Sequence, residues 1–133
     1  MHNTQTAILN ESLPTHSEIV QRGWEAVAAG NWDALIADYT EDMLFSMPGQ
    51  NDTLEGTIAF RDALEVLGTL LPPGFDITSI RQIGDYEEVV SILEWKCDKI
   101  PGGSQLAVLF KFADDKVAEE RWFVDTEQWK AAF

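Results

Sequence analysis

The chain has 133 residues and sets 9 Lys and Arg against 23 Asp and Glu, a net charge of −14 at neutral pH with both His uncharged. That balance excludes nucleic acid and anionic membrane surfaces as partners, because both draw their affinity from clustered Lys and Arg. At 45% apolar and 11% aromatic residues the chain holds too much core material for a disordered acidic tail, and its length suits one soluble domain.

A single cysteine, Cys97, cannot close an intrachain disulfide, which points to a reducing cytoplasm. His2 and His16 are the only imidazoles, both within the first 16 residues, so no spacing suits zinc or another transition metal. Neither an EF-hand pattern nor a glycine-rich phosphate loop is present, and no metal or cofactor is expected. Met1 to Leu13 lacks a basic region and has one short apolar run, Ala7-Ile8-Leu9; residues 1–14 read as a flexible arm preceding one domain over 15–133.

Thr15-His16-Ser17-Glu18 is a capping-box pattern, and the apolar spacing behind it predicts a helix over 16–29 that Gly30 stops. Asn31 can cap a shorter helix with Trp32, Leu35, Ile36 and Tyr39 on its stripe. Met43 to Met47 is a brief extended run, Pro48 to Asp52 is turn chemistry, and Thr57 can cap a third helix bearing Phe60, Leu64, Leu67 and Leu71, which Pro72-Pro73-Gly74 ends. Beyond Gly74 the period switches to alternation: 75–83, 88–100, 106–113 and 117–125 read as strands, joined by turns at Gly84-Asp85-Tyr86, Pro101-Gly102-Gly103 and Asp114-Asp115. Such turns are too short for crossover helices, so the sheet is mostly antiparallel. A terminal helical turn follows from Thr126, and the whole is an α+β domain with helices on one face of a curved sheet.

Alternation puts Val89, Ser91, Leu93, Trp95 and Cys97 on one face, the better core face, and Leu106, Val108, Phe110 and Phe112 on one face of the next strand. The last strand has no clean apolar face: Glu119, Arg121, Phe123 and Asp125 oppose Ala118, Glu120, Trp122 and Val124. Either a bulge shifts its register or one face carries charge into an incompletely packed cavity. Glu119-Glu120 reads as a solvated edge.

The order of these elements resembles the nuclear transport factor 2-like superfamily and its SnoaL-like members. The resemblance rests on Gly30-Asn31-Trp32-Asp33-Ala34-Leu35 with the run from Tyr39 to Phe45, on Pro48-Gly49 followed by Leu54-Glu55-Gly56, and on the last strand, VAEERWFVD over 117–125. It implies a cone-shaped roll, cystatin-like or ketosteroid isomerase-like, enclosing an apolar pocket and pairing as a homodimer. The catalytic groups of the known branches carry over poorly. The isomerase's Tyr falls at Gly23 and its two Asp near Met47 and Val108; the epoxide hydrolase's Arg and Asp fall at Trp95 and Cys97, and its Tyr and Asn at Phe45 and Met47. Asp125 alone matches, as the acidic residue closing the cyclases' last strand, with Arg121 four residues before it.

Asp125 is therefore the candidate acid/base, although Asp125-Thr126 is equally a helix cap. Arg121 either orients it or pairs with Glu119 at the surface. Trp24, Tyr39, Phe45, Met47, Trp95, Cys97, Val108, Phe110 and Trp122 are the candidate pocket lining or plain core, and Cys97 lacks a neighbouring base for a nucleophilic role. Two functions follow: an isomerase-, cyclase- or hydratase-type enzyme acting on a small apolar or aromatic ligand, or a non-catalytic ligand-binding or protein-interaction module of the same fold. Val90, Ile92 and Leu109 on the other sheet face supply apolar surface for the homodimer.

Overall fold

A computed structural model describes residues 13–49 and 53–133. Most of the arm expected over 1–14 and the second half of the turn expected over Pro48 to Asp52 lie outside the described residues.

Helix α1 spans His16–Ala29. Its capping box is formed: Thr15 Oγ1 accepts from the Glu18 amide at 3.1 Å, and Glu18 Oε1 accepts from the Thr15 amide at 3.0 Å. Gly30 closes it in the left-handed region at φ 67°, a conformation that penalises any Cβ. Helix α2 is Trp32–Ile36, capped by Asn31. It stops earlier than its apolar stripe suggests, because Tyr39 opens strand β1 (Tyr39–Ser46) and pairs across to Val117. Strand β2 (Thr53–Glu55) leads to α3 (Thr57–Thr69), whose N-cap is Gly56, one residue before the expected Thr57. Gly56 sits at φ 92° while its amide donates to the Met43 carbonyl at 2.8 Å, so its contact with β1 sets the helix start.

The meander is β3 (Asp76–Ile83), β4 (Glu88–Cys97), β5 (Ile100–Ala113) and β6 (Lys116–Phe123), followed by α4 (Thr126–Ala132). Pro101-Gly102-Gly103 is not the hairpin turn. Cys97 pairs with Ile100 and Trp95 with Ser104, so these residues form a bulge inside β5 and the turn falls at Asp98-Lys99. A bulge tolerates Pro and Gly where a regular ladder does not.

The six strands run in the order β2-β1-β6-β5-β4-β3, antiparallel throughout except β1 beside β6. Helix α1 packs over β3 and β4, and α3 over β1 and β2, giving helices on a curved, open, mostly antiparallel sheet. The face of β4 assigned to the core is buried along its length, from Val89 to Cys97, as are Leu106, Val108 and Phe110 of β5.

Strand β6 is an interior strand between β1 and β5, and Glu120 is 3% exposed, which corrects the reading of Glu119-Glu120 as a solvated edge. Both explanations offered for its mixed pattern hold. Phe112 pairs with Val117 but Lys111 with Glu119, leaving Ala118 as an extra residue. That bulge puts Val117, Glu120 and Trp122 in the interior together, and one of the three is charged.

Candidate functional site

Between the helices and the concave sheet face lies a cavity of about 600 Å³. Its wall is mostly apolar because α1, α3, β1 and β6 each turn an aromatic or aliphatic stripe inward. Trp24 stands edge-on to Phe110 and to Trp122, each at 5.9 Å between ring centres, and Phe45 lies 5.4 Å from Phe60. The Trp24 indole N–H is held by Ser91 Oγ at 2.9 Å, which fixes the ring against the sheet. Ser91 in turn donates to Gln82 Oε1, and Gln82 Nε2 donates to Gln21 Oε1 at 2.7 Å, tying β4 and β3 to α1 at this side of the cavity.

One carboxyl lies inside. Glu120 Oε1 accepts from the Tyr39 hydroxyl of the adjacent parallel strand, and Oε2 accepts from the Trp122 indole N–H at 2.7 Å, two residues along the same strand face. Burial pushes Glu120 up to about 7, against the opposing pull of its two donors, which favour the ionised form. Tyr39 is raised well above its ordinary value, first by burial and then by the Glu120 charge beside it. A carboxyl balanced near neutrality can either give or take a proton.

Six of the expected lining residues, Trp24, Tyr39, Phe45, Met47, Phe110 and Trp122, line this cavity. Trp95, Cys97 and Val108 do not. All three are buried: Val108 lies mid-sheet between Ser91 and Trp122, while toward the far end of β4 Trp95 lies edge-on to Trp129 at 5.1 Å and Cys97 is a free, buried thiol. Arg121 projects from the opposite sheet face beside Leu109 and pairs with Glu119.

Asp125 requires a correction of position. Strand β6 ends at Phe123, and Asp125 is the exposed N-cap of α4, its Oδ1 accepting from the Gln128 amide at 3.0 Å. Four orphan amides at a helix start compete strongly for a carboxylate, and here they hold it outside the cavity. Glu120, passed over in the sequence, occupies the interior instead. The signal that could have found it is its place two residues before Trp122, on the strand face that carries the strand's largest apolar side chain.

Among the described residues no group of three or more His, Cys, Asp and Glu is arranged to hold a metal ion, and no helix is long and apolar enough to cross a membrane.

Several solved structures share the fold. Bal32a, from a soil-derived mobile gene cassette, aligns with a TM-score of 0.75 at 19% identity over 88% of this chain and 95% of that one. An NTF2-like protein of unknown function from Burkholderia pseudomallei aligns at 0.73 with 13% identity over 88% and 95%. TerC, co-crystallised with polyporic acid, aligns at 0.69 with 14% identity over 88% and 96%. No curated protein matches the chain. The sequence pattern of the SnoaL-like domain matches residues 20–120, from within α1 to Glu120 in β6, and the chain belongs to that family.

Proposed function

We propose that the protein binds a small apolar or aromatic molecule in the cavity and exchanges a proton with it through Glu120. The observation that carries this reading is Glu120, among the described residues the one fully buried carboxyl, near pH 7 and held by Tyr39 and Trp122 at the wall of a mostly apolar chamber. In its ionised form Glu120 takes a proton from an acidic C–H or O–H of the ligand, and in its protonated form it returns one elsewhere, the balanced pair of steps that an isomerase or cyclase requires. Membership of the SnoaL-like family supports the ligand-binding part, as does the fold shared with TerC, a protein co-crystallised with polyporic acid. Asp125 serves this reading only as a cap that fixes α4 against the cavity's Trp129.

The test is a screen of small apolar compounds for a rise in melting temperature, followed by solvent-deuterium incorporation into each stabilising ligand. Incorporation by the wild type that disappears in Glu120→Gln and persists in Asp125→Asn supports proton exchange at Glu120. Binding with no incorporation leaves the non-catalytic ligand carrier. A screen without any stabilising compound removes both readings.

A cytoplasmic location and a homodimer complete the proposal. The free, buried Cys97 suits a reducing compartment. The sheet face away from the cavity carries Leu44, Ile83 and Phe123 exposed beside half-buried Val90, Ile92 and Leu109, a surface that a second copy would cover.

A further inference from the structure

The ionisable groups that line the cavity are of one kind. Among the described residues they are Glu25 on α1, Asp38 and Tyr39 at the entry to β1, Asp76 on β3 and Glu120 on β6, with no Lys, Arg or His. Glu25 and Asp76 are exposed, and Asp38, half-buried beside Tyr39, is paired with Arg22 of α1, whose Nε donates to it at 2.8 Å. Inside, the walls are the faces and edges of Trp24, Phe45, Phe110 and Trp122.

This arrangement discriminates by charge. An ionised carboxylate offers about four acceptor sites, and Tyr39 and Trp122 occupy one on each Glu120 oxygen, so acceptor capacity remains for a ligand. A buried carboxylate in apolar surroundings is costly until a partner neutralises it. An anionic ligand would set a second negative charge beside the first. A neutral ligand brings Glu120 no counter-charge and gains mainly apolar contact. A ligand with a positive charge on an apolar body supplies the missing counter-charge and places it against aromatic rings, which attract cations through their quadrupoles.

Resting on the ligand-cavity reading above, we propose that the cavity selects a hydrophobic cation, an aryl or alkyl ammonium whose charge seats against Glu120 and the surrounding rings. Binding then draws Glu120 into its ionised form, so affinity rises with pH through neutrality and a proton leaves on binding. The groups facing Glu120 as this occurs are Tyr39 from β1 and Trp122 from its own strand; beyond Tyr39, Asp38 is paired with Arg22 of α1, and Glu25 and Asp76 are exposed carboxylates of the lining.

The experiment is calorimetric titration of the full chain with three probes of one shape: 2-naphthylmethylamine, 2-naphthylmethanol and 2-naphthoate, at about pH 6 and pH 8, where the primary ammonium stays charged. The expected result at the higher pH is an amine preference of about tenfold over the alcohol, the scale of a desolvated cation against rings and a carboxylate, with the naphthoate weakest. At the lower pH the preference shrinks, and in Glu120→Gln it is lost. Should Glu120→Gln fail to fold, the pH dependence in the wild type and the proton released in buffers of different ionisation enthalpy decide the matter. An alcohol that binds as tightly as the amine at the higher pH, or a naphthoate that binds tightest, overturns the cation and leaves the ligand cavity standing. A preference that survives in Glu120→Gln overturns Glu120 as its seat. Failure of all three probes to bind overturns both readings.

Discussion

Glu120 makes stability a function of pH in a way its neutral isostere does not. Its ordinary value is 4.5 and its folded value about 7. A group raised on folding binds its proton more tightly in the native state, so its favourable contribution is complete below the unfolded value and is lost as pH climbs through the folded one. At about 1.4 kcal/mol per pH unit, the interval between the two values is worth roughly 3 kcal/mol. Glu120→Gln removes the titration but keeps the shape. The amide can still accept from Tyr39 or Trp122, but its NH₂ then opposes the other donor, leaving one buried donor unpaired at a cost of about 1–3 kcal/mol. The variant is therefore less stable than wild type near pH 4.5 and comes level with it, or overtakes it, above about pH 7.5. Urea unfolding followed by fluorescence of the five tryptophans measures both proteins across that range. Self-repulsion of the acidic surface is nearly common to the two and cancels in the difference. A stability difference that stays constant with pH, to within about 1 kcal/mol, would refute the buried, near-neutral carboxyl.

Three further outcomes follow from the same geometry. Tyr39→Phe removes a donor that favours the ionised form, so the Glu120 midpoint moves above about 7; carboxyl infrared or ¹³C titration reads the direction, and a downward move contradicts the hydrogen-bond assignment. Asp125→Ala removes the α4 cap and costs about 1 kcal/mol in unfolding experiments without changing ligand affinity more than twofold, whereas a loss of affinity tenfold or greater would return Asp125 to the site. Phe123→Asp places a charge on the exposed outer sheet face and converts the proposed dimer to a monomer in sedimentation equilibrium; a wild-type mass that is already monomeric refutes the dimer.

Local chemistry made most of the secondary structure readable. The Thr15 to Glu18 capping box, the Gly30 stop and the switch from helical to alternating period after Gly74 each depend on a few neighbouring residues, and most elements lie within a few residues of their expected place; the short β2 was not expected, and β5 begins six residues before 106. Where the reading slipped, a distant partner had decided. Tyr39 left its helical stripe because Val117 pairs with it, and the Pro-Gly-Gly turn became a bulge because Cys97 reached Ile100 first.

The candidate site depended most on such partners. The sequence by itself determined that the last strand carried charge on both faces, that acid outnumbered base, and that the aromatic residues were sufficient to wall a cavity. Only the tertiary structure decided which acid faces inward. The Ala118 bulge sets the phase of β6, β1 arrives parallel beside it with the Tyr39 hydroxyl, and the start of α4 draws Asp125 away as a cap. A strand's alternation says that two residues point to opposite sides; which side is water is settled by what packs against the sheet.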